Sequence, residues 1–261
     1  MKTDLTGRTA VVTGAASGIG RAVSLILADQ GARVFGGDID QPVDVVREFQ
    51  ARGITLRQCD VQSEQDVQNL ISLAESETGR LDILINNAGV VLIKQITDVT
   101  EAEWDHVLDT NVKGAFFGCK HAIPVMRRSG GGSIVNTASN AGLLPRAGDP
   151  VYCISKRAVI GLTDSLALSH AADRIRVNAV CPGPVGETGI MNASLAEASN
   201  AETEAAKYIQ ASPLAHAFGR MISPEEVAAA MLYLVSDAAA MVTGTCIAID
   251  GGKSRGVPPR V

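Results

Sequence analysis

Short apolar runs alternate with longer amphipathic stretches along nearly the whole chain. Runs over 9–13, 33–37, 55–59, 83–86, 133–137, 176–180 and 246–249 are rich in Val and Ile and too short for helices, so they read as strands. The stretches 19–30, 43–52, 64–78, 101–128, 151–171 and 224–237 carry the helical period, and 101–128 is expected to hold two helices broken near Asn111. Pro224 suits a first helical turn, with Ser223 as its cap. Strict alternation of strand and helix predicts an α/β fold: a doubly wound, seven-stranded parallel sheet with helices on both faces. A single domain over 1–261 is expected, with no internal repeat or linker. Only 186–218, Ala-rich and carrying several Glu, departs from the rhythm. An insertion between a strand and the last helix is expected to be a lid over the carboxyl ends of the strands, where such sheets bind ligands.

Composition narrows the function classes. Of 261 residues 46% are hydrophobic and only 3% aromatic, which suits parallel strands under closely packed helices. A net charge of −5 without a basic tract argues against nucleic acid or an anionic membrane as partner. Five scattered cysteines and four histidines show no metal-ligand spacing, so no metal site is expected. Cysteines without a pairing rhythm, together with the lack of a leader-like or membrane-spanning apolar run, give a cytoplasmic protein as the expectation.

The first strand runs into Thr13-Gly14-Ala15-Ala16-Ser17-Gly18-Ile19-Gly20 at the start of the first helix. Glycines there let the backbone turn tightly against a pyrophosphate, and the helix N-terminus offers unpaired amides and a favourable dipole. Gly14, Ser17, Gly18, Ile19 and Gly20 are therefore candidate cofactor residues. Asp38 ends the second strand, eighteen residues after Gly20. A carboxylate there can accept hydrogen bonds from the adenosine ribose and would repel a 2′-phosphate, so NAD is expected over NADP. Asp60 and Val61 close the third strand, beside the adenine edge. Asn87, Ala88 and Gly89 follow Asn86 at the end of the fourth, where small residues leave room for the cofactor.

Tyr152 and Lys156 lie four residues apart, with Ser139 thirteen residues upstream. On a helix the pair shares one face. A phenol is a weak acid–base catalyst at neutral pH, and a neighbouring cation favours its ionised form. The pair can thus move a proton near neutrality.

Taken in order, Thr13–Gly20, Asn86–Gly89, Asn111, Ser139, Tyr152 and Lys156 resemble the short-chain dehydrogenase/reductase family in its shorter, Rossmann-type form. The resemblance covers the chain from Thr9 to about Gly252. It implies that Tyr152 is the general acid/base at the substrate oxygen. Lys156 is implied to lower the Tyr152 pKa and to bind the nicotinamide ribose. Ser139 would orient the substrate oxygen, and Asn111 would hold a water in a proton relay. Cys181-Pro182-Gly183-Pro184-Val185 resembles the family's segment beside the nicotinamide, which makes Pro182, Gly183 and backbone Val185 cofactor candidates. The family's usual threonine falls four residues after that glycine; here Glu187 occupies the place and Thr188 follows. A homotetramer is the family's common form.

The implied activity is hydride transfer between NAD(H) and a secondary alcohol or ketone. An enoyl reductase of related fold would usually space Tyr and Lys by seven. A non-catalytic NAD(H)-binding sensor would be expected to lose part of the Asn–Ser–Tyr–Lys set. Pocket walls are expected from 90–94, 140–146, 185–191 and the lid up to His216, with Leu143, Leu144, Met191, Leu195 and Leu214 making an apolar lining. Arg146 and His216 could bind a polar or anionic group, with solvated surface the favoured reading for each, and the substrate is expected to be a neutral cyclic or aryl-substituted alcohol.

Overall fold

The computed structural model describes residues 3–144, 146–196 and 198–256. Of the expected features, Pro145 in the pocket wall, Glu197 in the lid and the tail beyond Gly256 lie outside the described residues. The seven strands are β1 (Thr9–Thr13), β2 (Arg33–Asp38), β3 (Thr55–Gln58), β4 (Ile83–Asn86), β5 (Gly132–Thr137), β6 (Ile175–Pro182) and β7 (Cys246–Ile249). They form one parallel sheet in the order β3-β2-β1-β4-β5-β6-β7. Between β1 and β4 the winding reverses, and the carboxyl ends of these two strands open a crevice.

Helices α1 (Gly18–Asp29), α2 (Val43–Ala51), α3 (Glu64–Thr78), α4 (Glu101–Leu108), α5 (Gly114–Arg128), α6 (Pro150–Ser169), α7 (Gly189–Ala196), α8 (Ala201–Gln210), α9 (Pro213–Phe218) and α10 (Pro224–Val235) connect and cover the sheet. Register explains the two cores. Val11 lies between Phe35 and Leu84, and these side chains join Leu70, Ile71, Cys119 and Met126 of α3 and α5. Its neighbours Ala10 and Val12 point to the other face, with Val34, Ile83 and Ile85, against Val23, Leu27 and Met231 of α1 and α10. Both faces are covered, so β1 and β4 are buried throughout, which is why they read as unbroken apolar runs. Helix ends follow their local chemistry. Ser63 caps α3 and left-handed Gly79 closes it, while Thr100 with Glu103 and Ser223 with Glu226 form capping boxes on α4 and α10.

The stretch 101–128 holds two helices, α4 and α5, and the interruption near Asn111 takes the form of a π-helical turn, Asp109–Lys113. The wider turn keeps the chain helical while Asn111 is buried and bonded to neighbouring segments rather than to solvent. The stretch 186–218 folds into three helices, α7 to α9, whose buried side chains include Met191 and Ala215. The polar faces of α8 leave it with no buried residue.

Candidate active site

A cavity of about 570 Å³ opens at the carboxyl ends of the strands. Its wall runs from Ser17, Gly18, Ile19 and Asp38 past Asn87–Gly89 to Ser139, Tyr152 and Lys156. At the first end, Ser17 precedes α1 without capping it through its side chain, so the amides of the first turn have no side-chain partner among the described residues. Gly20 has to be glycine, because an added Cβ would run into the Gly14 carbonyl and approach Asn87 Nδ2 to 2.6 Å. Asp38 accepts the Ala16 amide through Oδ2 at 2.8 Å and the Asp40 amide through Oδ1 at 3.1 Å. These bonds fix its carboxylate beside the glycine turn. Asp60 also lines the cavity, its Oδ1 accepting the Gln62 amide at 2.9 Å. An uncapped helix N-terminus, a turn with no room for a Cβ and a carboxylate at the far end fit a dinucleotide: phosphates at the amides, ribose hydroxyls at Asp38.

At the other end α6 begins at Pro150, whose fixed φ suits a first turn, and carries Tyr152 and Lys156 on its buried face. The Lys156 ammonium lies 5.7 Å from the Tyr152 ring centroid and donates to the Thr137 carbonyl at 2.8 Å. Burial pulls the ammonium down to about 8. Burial also raises the Tyr152 phenol above its ordinary value, against a hydrogen bond with Ser139 and the charge of Arg146. Burial dominates at the phenol, and the charges that act on it are those of Arg146, Asp149 and Cys153 rather than Lys156. Ser139 is buried, and its hydroxyl accepts the Ala141 amide at 3.1 Å.

Asn111 sits behind this wall, not in it. Its Oδ1 accepts the Val90 amide at 2.8 Å, and its Nδ2 donates to the Val90 carbonyl at 2.9 Å and to Ser155 Oγ at 3.0 Å. A Cβ on Gly89 would stand 3.1 Å from Asn111 Oδ1 and 3.2 Å from Lys156 Nζ, so glycine there lets the two side chains close around it. Val61, Ala88, Pro182, Gly183, Val185 and Thr188 all line the cavity.

The departure at 187 has a structural form. Glu187 adopts φ 55°, and this left-handed residue delivers Thr188 against the glycine turn, its methyl 3.0 Å from where a Gly18 Cβ would stand. Thr188 donates to the Val185 carbonyl at 3.1 Å and accepts the Met191 amide at 3.2 Å, which ties the start of α7 to the cavity. Of the five expected apolar residues only Met191 lines the cavity. Leu143 packs instead with Val159 and Ile160, and Leu144 and Leu214 are exposed at the surface. Val90, Val91, Ile93, Ile190 and Tyr208 supply the apolar wall. His216 is exposed on α9.

Sequence reasoning did not single out Tyr208, and it favoured the wrong surroundings for Arg146. Tyr208 of α8 hydrogen-bonds Ser194 of α7 at 2.9 Å, and both line the cavity. Arg146 is not solvated surface: it lines the cavity, forms an ion pair with Asp149 and lies 5.5 Å from the Tyr152 ring centroid. An Arg three residues before an Asp, just ahead of a helix that starts with Pro, was the available signal.

A family model described as Enoyl-(Acyl carrier protein) reductase matches residues 14–254. The chain is 36% identical over 251 residues to an NAD-dependent glycerol dehydrogenase of Listeria innocua, covering 95% of this chain and 94% of that one. It is 39% identical over 250 residues to a cis-4-hydroxycyclohexanecarboxylate dehydrogenase of Sinomonas cyclohexanicum, covering 94% and 96%. The solved structure of a short-chain type dehydrogenase/reductase from Mycobacterium marinum superposes with a TM-score of 0.86 at 34% identity, covering 96% of each chain. The protein belongs to the short-chain dehydrogenase/reductase family, and it is an oxidoreductase of that family.

Proposed function

We propose that the protein is an NAD-dependent dehydrogenase/reductase that interconverts a secondary alcohol and a ketone, with Tyr152 as general acid/base. The observation that carries this is the continuity of one cavity from the α1 N-terminus and Asp38 to Ser139, Tyr152 and Lys156. When bound, NAD(H) supplies the redox chemistry by accepting or donating hydride at its nicotinamide. The protein's part is orientation and the proton. Amides of Gly18, Ile19 and Gly20 with Gly14 and Ser17 hold the phosphates, and Asp38 holds the adenosine ribose and disfavours a 2′-phosphate. Asp60 and Val61 face the adenine side, Asn87, Ala88 and Gly89 the middle, and Pro182, Gly183, Val185 and Thr188 the nicotinamide side.

Ser139 orients the substrate oxygen, and the Tyr152 hydroxyl exchanges a proton with it. Lys156 holds the nicotinamide ribose while anchored on the Thr137 carbonyl. Asn111 ties Val90 to Ser155 and holds a water in the relay that returns the proton from Lys156 to solvent. Residues 186–218 form a lid that closes over the substrate. The four-residue spacing of Tyr152 and Lys156 favours carbonyl over enoyl chemistry, and two relatives named as dehydrogenases favour it too.

A homotetramer in the cytoplasm completes the reading. Exposed Phe116, Ile154 and Leu168 on α5 and α6 support the assembly. Among the described residues no helix is long and apolar enough to cross a membrane. The deciding experiment follows NADH absorbance with a panel of secondary alcohols plus NAD⁺ and ketones plus NADH. Turnover dependent on Tyr152 supports the proposal. NADH binding without turnover of any panel member overturns it.

A further inference from the structure

Arg146 is poorly explained as a scaffold residue. Its guanidinium lines the substrate half of the cavity, over the face of Tyr152. Asp149 pairs with one terminal nitrogen. The Nε is buried and has no acceptor among the described residues. The Nε is sealed from the cavity, but the side chain as a whole is 29% exposed, so an acceptor in the cavity meets the rest of the guanidinium.

The surroundings add charge of the same sign. Lys253, in the short helical turn Lys253–Arg255, is near enough that Arg146 helps to hold its ammonium below the ordinary range, after burial as the main cause. Asp250 is the other nearby acid, but its carboxylate is engaged by the amides of Gly252 at 2.9 Å and Ser254 at 2.8 Å. Arg146 and Lys253 therefore stand beside two carboxylates, Asp149 and the amide-bonded Asp250. The Asp149 carboxylate is itself held above its ordinary value by burial, against the opposing charge of Arg146. Elsewhere Val90, Val91, Ile93, Ile190 and Met191 give the substrate half an apolar wall beside the Ser194–Tyr208 pair.

We propose that Arg146 is the anion-recognition residue of this cavity, and that the substrate is a small hydroxy acid or its oxo acid. Its carboxylate pairs with the guanidinium, and its reacting oxygen meets Ser139 and Tyr152. This rests on the oxidoreductase reading of the same site, and it replaces the neutral alcohol expected from sequence. A guanidinium 5.5 Å from the Tyr152 ring centroid puts anion and reacting oxygen a few bonds apart in one molecule. A planar fork of donors suits a carboxylate better than a point cation would. The step balances: Tyr152 first gives its phenol proton to solvent, the carbinol carbon loses its hydrogen as hydride to NAD⁺ while the hydroxyl proton passes to the Tyr152 phenolate, and the oxo acid is released with NADH and that one proton.

The test compares matched anionic and neutral probes. Cyclohexanecarboxylate and cyclohexanecarboxamide are titrated calorimetrically into enzyme saturated with NADH. The ratio of kcat/KM for 3-hydroxybutanoate and 3-hydroxybutanamide is measured with NAD⁺. Wild type is expected to favour the acid of each pair. Arg146→Met should cut that preference by about 10- to 100-fold, the scale of one charge-assisted hydrogen bond. Arg146→Lys should cut it less. Wild type that binds no carboxylate, or that prefers the amide, overturns the proposal, as does Arg146→Met with the preference intact. If Arg146→Met does not fold, Arg146→Lys decides: an unchanged preference overturns, and a loss of several-fold supports. Turnover of neutral alcohols without acid preference sinks the role of Arg146 and leaves the proposed function standing. Absence of turnover with every alcohol and ketone sinks that function.

Discussion

Lys156→Met should make the folded protein more stable and catalytically dead. The ammonium is buried, and burial pulls its pKa from 10.5 to about 8. A gap of about 2.5 pH units corresponds to roughly 3 kcal/mol of native-state penalty, at about 1.4 kcal/mol per unit. Its hydrogen bond to the Thr137 carbonyl offsets roughly 1–2 kcal/mol, and Met would forfeit it. The variant should therefore gain roughly 1–2 kcal/mol at pH 7. The sign of the pH dependence follows from proton counts. Between pH 8 and 10.5 the unfolded lysine still binds a proton that the native one has lost, so wild-type stability rises with pH across that window. Below about 8 both states are protonated and the penalty is complete. The measurement is urea unfolding of wild type and variant at fixed protein concentration, from pH 7 to pH 10.5. The stability difference should be largest at pH 7 and should shrink as pH rises through 8. A variant less stable than wild type at pH 7, or a difference flat with pH, would refute the claim that Lys156 is a strained cation held for function.

Other outcomes follow from the same geometry. Tyr152→Phe should reduce kcat by about 100-fold or more, the usual share of a general acid/base, with NADH affinity within a few-fold by fluorescence titration; substantial residual turnover would remove Tyr152 from the proton step. Asp38→Ala should narrow the preference for NADH over NADPH, measured by the two dissociation constants. Wild type that binds NADPH more tightly would contradict the ribose assignment. Tyr208→Phe removes the tie to Ser194 between α7 and α8 and should raise KM several-fold, on the scale of one hydrogen bond, with NADH affinity as the control that should not move.

How far the sequence carries depends on whether a residue acts through its own segment or through one distant in the chain. Strands β1 and β4 were legible because burial on both faces writes an unbroken apolar run. The glycine turn and the i, i+4 pair on α6 were legible because each is a local geometry with a local spacing. The apolar wall was legible as segments but not as side chains. The expected segments 90–94 and 185–191 supply Val90, Val91, Ile93, Ile190 and Met191, whereas Leu143 and Leu144, close to Ser139 in sequence, turn away from the cavity. Asn111 shows the same limit. Spacing flagged the residue, but only the π-helical turn shows its side chain bonded to Val90 and Ser155 and bordering Gly89 from behind. Arg146 is the sharpest case. In the chain it closes an expected wall segment, with solvent or an anion as its partner. In the fold, Asp149 and Tyr152 follow it at the start of α6, the 3₁₀ turn at Lys253 returns beside it, and its charge becomes part of the cavity. The reaction class was therefore readable from the conservative, local parts of the site. Substrate choice was not, because it is set where the loop before α6, the segment after β4 and the helices after β6 meet, and nothing in any one of those segments records the other two.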